Sequence, residues 1–199
     1  MQQFKSKRNQ VFFSGDVVIK RLPTADAAEA EAVRLRALRA AGVDVPEVFG
    51  VHDGEITMAY VRGETVPDYL EHPTEAPDAV AAALCDWFER FWAAVDHACT
   101  GEIRGDVNGR NFIITDGRVV GVDFEERAYG SRERDIGRLL AFIHTYDLPG
   151  RRVQRRFATL FYRETLERLG LSAPEVLRQY KLERRAMRTR RAGRRATNG

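Results

Sequence analysis

The stretch Arg104-Gly105-Asp106-Val107-Asn108-Gly109-Arg110-Asn111-Phe112-Ile113-Ile114-Thr115-Asp116-Gly117-Arg118-Val119-Val120-Gly121-Val122-Asp123-Phe124 decides the fold. Asp116-Gly117 between two apolar runs predicts a hairpin with a two-residue turn. Thr115 then pairs with Arg118, and Asn111 lies opposite Val122. This register puts Asn111 and Asp123 side by side at the open end of the hairpin. Asp106 lies five residues before Asn111 in a polar loop, so Asp106, Asn111 and Asp123 are expected to converge. Two carboxylates and an amide oxygen are hard donors of the kind Mg2+ takes together with phosphate oxygens. The plainer reading is that Asp-Gly turns and a nearby Asn are ordinary loop residues.

Toward the N-terminus, Val11-Phe12-Phe13 and Val17-Val18-Ile19 flank Ser14-Gly15-Asp16, which predicts another hairpin. Its second strand ends in Lys20, on the same face as Val18. A lysine on a buried face needs an anionic partner. The helix predicted from about 24 to 41, capped by Thr24 and ended by Gly42, offers Glu29 and Glu31. Its apolar Val33, Leu35 and Leu38 help fix an inner side, but helical phase alone does not choose between the two. Asp53-Gly54 predicts a further hairpin, joining strands at 48–51 and 56–61.

Toward the C-terminus the pattern turns helical. Between 77 and 98, Val80, Leu84, Trp87, Phe88, Phe91, Trp92 and Val95 recur at spacings of three and four, a core-facing stripe. Helices are predicted again at about 132–146, 151–169 and from 173 onward. Strands with one helix, followed mostly by helices, imply an α+β protein with a small sheet-rich N-lobe and a helical C-lobe. The expected divisions are an N-lobe at 1–61, a helical C-lobe at 62–180 and a basic tail at 181–199.

Composition excludes several classes. With 199 residues, 44% hydrophobic and 31% charged, the chain is globular. Two cysteines, Cys85 and Cys99, allow neither a disulfide framework nor a cysteine zinc site, and suit a reducing cytoplasm. His52, His72, His97 and His144 have no metal-like spacing. No apolar run approaches the ~20 residues of a membrane helix, and the N-terminus lacks the apolar block of a signal peptide, so the expected location is cytoplasmic with no membrane partner. The formal net charge of +3 hides an asymmetry: 178–199 holds nine Lys/Arg and one acid, Glu183, so the remaining 177 residues carry a net −5. Such a run is either solvated or meets an anionic partner, RNA ahead of others.

These segments together resemble the protein-kinase-like superfamily, especially its small atypical and aminoglycoside-phosphotransferase-like branches. Arg104 to Asn111 looks like the catalytic loop H-G-D-x-x-x-x-N, Val122-Asp123-Phe124 like the metal-binding D-F segment, and Val17 to Lys20 like the V-A-I-K strand. Val95-Asp96-His97 with Gly101-Glu102-Ile103 resembles the run that precedes the loop. Thr57 to Gly63 resembles the hinge, and Asp135 the residue that braces the loop from a long helix. The resemblance spans about 11–142. In lacking a long activation segment after Asp123, the chain is similar to the RIO kinases and to the small kinase of the tRNA threonylcarbamoyl-adenosine machinery.

The resemblance implies an ATP- and Mg2+-dependent phosphotransferase. Asp106 would orient the acceptor hydroxyl and take its proton. Asn111 and Asp123 would hold Mg2+ on the ATP phosphates, and Lys20, held by a helix Glu taken as Glu31, would neutralise those phosphates. Ala59 and Val61 would meet the adenine edge, with Met58 as gatekeeper and Val18 on the ring. The acceptor is expected to be a protein Ser/Thr hydroxyl, with turnover as an ATPase within a complex as a variant. Competing readings are a small-molecule (sugar or antibiotic) phosphotransferase and a weak pseudokinase that binds ATP or RNA. The chain departs from the pattern at Arg104, where a His is usual, at Glu125, in place of Gly, and at Asn108, where many kinases have Lys. Lys5 to Gln10 stands where a Gly-rich phosphate loop is usual, and its basic side chains would replace backbone amides.

Overall fold

The computed structural model describes residues 2–4, 10–146 and 151–197; all but Gln10 of the segment expected to replace a Gly-rich loop lie outside them. The N-lobe is a five-stranded antiparallel sheet. Its strands are β1 (Gln2–Phe4), β2 (Gln10–Ser14), β3 (Val17–Arg21), β4 (Val48–His52) and β5 (Glu55–Ala59), in the order β1-β2-β3-β5-β4. Ser14 pairs with Val17, so Gly15-Asp16 is the turn, and Gly15 takes the positive φ of 64° that this tight reversal requires. Asp53-Gly54 closes the β4–β5 hairpin in the same way, with both residues at positive φ.

Helix α1 (Ala25–Ala40) crosses between β3 and β4. Thr24 caps it, its hydroxyl accepting from the Ala27 N–H. The helix faces two ways. Ala28 and Ala32 join Leu22, Ile56 and Met58 in a small core under the sheet, while Leu35 and Leu38 enter the main core of the other lobe. One helix is therefore packed into both lobes.

The C-lobe starts with β6 (Glu64–Thr65) and α2 (Val66–Glu71), a short helix that the sequence reading did not foresee. A capping box holds its first turn: the Thr65 hydroxyl accepts from the Asp68 N–H, and the Asp68 carboxylate accepts from the Thr65 N–H. Helix α3 (Pro77–Ala94) carries the foreseen stripe, with Val80, Leu84, Trp87, Phe88, Phe91 and Trp92 all buried. It stops four residues before the expected end, because Asp96 is left-handed at φ 49° and a separate turn, α4 (His97–Thr100), follows. Strands β7 (Glu102–Ile103) and β10 (Ala128–Tyr129) pair with each other, and β8 (Phe112–Thr115) and β9 (Arg118–Gly121) form the foreseen hairpin, with β6 on its edge. Helices α5 (Arg132–Thr145), α6 (Arg151–Leu169) and α7 (Ala173–Thr197) complete the lobe.

The basic run corrects an expectation. It is not a tail separate from the lobe after 180: α7 continues through it and packs on α5. Glu183 and Met187 turn inward at 8% and 7% exposure, and Met187 Sδ lies 3.4 Å from the Thr145 hydroxyl. Val176, Tyr180, Glu183 and Met187 recur every three or four residues, so one apolar-to-anchoring stripe persists beneath the exposed arginines.

Candidate active site

Asp106, Asn111 and Asp123 are brought together by the hairpin register read from the sequence. Thr115 pairs with Arg118 and Phe112 with Gly121, and the Val122 N–H donates to the Asn111 carbonyl at 2.9 Å. The Asn111 amide nitrogen donates to Asp106 Oδ2 at 3.0 Å. The other end of that amide, its oxygen, is the atom a cation would use. Asp123 takes φ 65°, which turns its carboxylate out of the strand direction and toward β3.

Lys20 meets it there. Its ammonium donates to both Glu31 oxygens at 2.9 Å and to Asp123 Oδ1 at 2.9 Å, and pairs with Glu125 at 2.6 Å. Glu31 is only 3% exposed, so the structure selects it over Glu29, which is exposed and lies 4.0 Å from Arg36. Burial works against the Lys20 charge, yet Glu31, Asp123 and Glu125 outweigh it and hold its pKa up to about 12. Asp123 is pulled below the usual carboxylate range by Lys20 despite its own burial, while burial pushes Glu125 up. One ammonium faces the carboxylates of Glu31, Asp123 and Glu125, which leaves net negative charge on the cleft floor. A polyphosphate on that floor would need a further cation, and the Asn111 and Asp123 side chains carry hard oxygens that could hold one. Among the described residues no three His, Cys, Asp or Glu side chains converge as a metal-holding group.

All nine candidate residues line one cleft between the lobes: Lys20, Glu31, Val18, Met58, Ala59 and Val61 on the N-lobe and hinge side, and Asp106, Asn111 and Asp123 opposite. The Ala59 N–H is already given to the Glu47 carbonyl at 2.8 Å, so only its carbonyl can face a base edge. Thr65, Asp68 and Arg110 also line the cleft and were not singled out from sequence. The Thr65-x-x-Asp68 capping spacing was legible, but nothing in the sequence placed it at a cleft.

The replacement at Arg104 has a structural account. Arg104 is 1% exposed, its Nη2 donates to the Val122 and Asp123 carbonyls at 2.7 Å each, and its guanidinium lies 4.3 Å from the Phe124 ring centroid. It thereby ties the loop of Asp106 to the segment of Asp123. Asp135 braces the same loop, accepting from the Arg104 N–H at 2.8 Å and the Gly105 N–H at 2.9 Å, with Trp92 Nε1 donating at 3.1 Å. Arg34 was missed. Buried on α1 one turn beyond Glu31, it donates to Glu102 at 2.7 Å and to the Glu126 carbonyl at 2.7 Å, and Glu31 accepts from the Phe124 N–H at 3.0 Å. Helix α1 is thus fastened directly to the Asp-Phe segment. The i, i+3 spacing of Glu31 and Arg34 could have hinted at this shared face.

The sequence matches the RIO domain over residues 3–144. No curated protein sequence matches the chain. Among solved structures, the aminoglycoside phosphotransferase APH(2'')-Ib bound to ADP is similar at a TM-score of 0.61 and 15% identity, covering 83% of this chain and 78% of that one. The streptomycin–ATP complex of APH(2'')-IIa is similar at a TM-score of 0.63 and 16% identity, covering 92% of this chain and 81% of that one. These likenesses show the bilobal kinase-like fold. Among the described residues, no helix is long and apolar enough to cross a membrane.

Proposed function

The chain belongs to the RIO domain family of kinase-like, ATP-dependent phosphotransferases, and on that footing we propose that its cleft carries out Mg2+-dependent transfer of the ATP γ-phosphoryl group to a protein Ser/Thr hydroxyl. The observation that carries this reading is Lys20, bonded at 2.9 Å both to Glu31 and to Asp123. One cation and one carboxylate thus meet in the cleft that Asp106 and Asn111 also line, which supports phosphate and metal roles for them.

Phosphoryl transfer asks mainly for positioning and charge neutralisation. Lys20 neutralises the ATP phosphates, with Glu31 holding its ammonium in place at 2.9 Å. Asn111 and Asp123 would hold Mg2+, which would supply positive charge against the ATP phosphates. Asp106, kept in place by Asn111, orients the acceptor hydroxyl and accepts its proton. Ala59 and Val61 meet the adenine edge, with Met58 behind them and Val18 over the ring.

A small-molecule hydroxyl is the second reading, favoured by fold neighbours that are aminoglycoside phosphotransferases. The exposed arginines of α7 suit an anionic partner such as RNA. Incubation with γ-labelled ATP and a panel of protein, sugar and aminoglycoside acceptors tests the proposal. Label on Ser or Thr of protein is the expected product. Label on a sugar or aminoglycoside alone overturns the Ser/Thr acceptor, and ATP binding without turnover supports the pseudokinase alternative.

A further inference from the structure

Glu183 is the one acid among the nine bases of 178–199, and it points away from solvent. Its Oε2 accepts from Arg138 Nε on α5 at 3.2 Å, and its Oε1 accepts from the more exposed Arg190 at 2.5 Å. Arg138 in turn donates from Nη1 to the Gly105 carbonyl at 2.5 Å. That carbonyl belongs to the peptide unit joining Gly105 to Asp106, which is planar and includes the Asp106 N and Cα. The Asp106 N–H of the same unit donates to the Arg104 carbonyl at 2.9 Å. The plane from which the Asp106 side chain hangs is therefore held at both its polar ends.

Gly105 makes this hold matter. It takes φ 75°, and a Cβ there would overlap the Cβ of Ala128, so only glycine fits the turn. Glycine is also the residue with the widest backbone freedom, and the loop stays in one conformation only if its neighbours impose it. From α5, Asp135 holds the Gly105 N–H and Arg138 the Gly105 carbonyl, which also accepts the local Val107 N–H at 3.1 Å. Asp135 is fully buried and fixed by Trp92. The Arg138 side chain is 24% exposed, and its carboxylate partner is Glu183. Without that partner a semi-buried guanidinium turns toward water.

We propose that Glu183 and Arg138 are positioning residues: the basic C-terminal helix, through its single inward acid, sets the peptide plane that aims Asp106. The inference rests on the phosphotransfer reading of Asp106. Two readouts keep the failures apart: ATP turnover with nucleotide affinity from a fluorescent ATP analogue, and amide hydrogen exchange over 104–111, which needs no turnover. Glu183→Gln should lower the turnover number about tenfold with nucleotide affinity within about twofold, because only the aim of Asp106 is lost. Exchange over 104–111 should speed up. In an Arg138→Gln background, Glu183→Gln should cost nothing further, whereas independent structural roles would multiply. Glu183→Asp, which keeps the charge, should recover part of the rate, and it carries the comparison if Glu183→Gln does not fold. Unchanged exchange, multiplying losses, or a loss of affinity equal to the loss of turnover would each overturn the buttress. A parent chain that turns over no ATP while Glu183→Gln still loosens 104–111 would overturn the phosphotransfer reading and leave the buttress standing.

Discussion

Asp106→Asn should cut ATP turnover by about 10²–10⁴-fold, the range of a positioned general base, while nucleotide binding and the melting temperature stay near the parent's. The carboxylate lines the same cleft as Lys20, and it accepts from close in sequence: from the Asn111 amide at 3.0 Å and the Asn108 N–H at 3.4 Å. Asparagine can keep one of these contacts through its oxygen but cannot accept a proton from an acceptor hydroxyl. The phosphates would still find Lys20 and the Asn111–Asp123 pair. Turnover by Asp106→Asn equal to the parent's would remove Asp106 from the chemistry.

The largest stability effect should come from Arg104→Ala, at about 3–5 kcal/mol, a fall in Tm of about 6–20 °C. The substitution empties a fully buried site, leaves the Val122 and Asp123 carbonyls without their guanidinium donor, and removes the cation from the face of Phe124. Arg104→Lys should fall between, since an ammonium has charge but no planar fork. Thermal melts of the three proteins check the ranking. A Tm for Arg104→Ala within about 2 °C of the parent would show that the loop and the Asp-Phe segment are held by other contacts. The departure at Arg104 is thus better understood as a different brace than as a loss of one.

Much of the site was legible because it rests on short-range rules. Asp116-Gly117 fixed one hairpin register, and that register alone put Asn111 beside Asp123. Lys20 at the end of an apolar strand announced a buried cation. What the sequence left open depended on tertiary packing. Glu29 and Glu31 could not be separated because α1 has no clean apolar stripe: it buries Arg34 as well as Leu35 and Leu38. Arg34 and Glu102 lie 68 residues apart, so their ion pair has no local trace. The end of α3 was overrun because Val95 continues the stripe, while the left-handed Asp96 that stops it has a side chain common in such turns but not diagnostic of them. The packing of α7 beyond 180 was not legible because nine bases dominate 178–199. Its inward stripe of Tyr180, Glu183 and Met187 is sparse, and one member is an acid whose partner lies on another helix.

If Lys20, Asn111 and Asp123 make this cleft a metal-dependent phosphotransfer site, turnover must depend on both the metal and Asp123. The most direct measurement is release of label from γ-labelled ATP by the parent chain and by Asp123→Asn, across a titration of Mg2+ and with the metal chelated. Asp123→Asn leaves Lys20 paired with Glu31 and Glu125, so it should fold like the parent. Turnover by the parent should rise with Mg2+ and stop on chelation, and turnover by Asp123→Asn should be lower by about 10³-fold at every Mg2+ concentration. Turnover that is indifferent to chelation, or equal in the two proteins, would contradict the phosphotransfer reading.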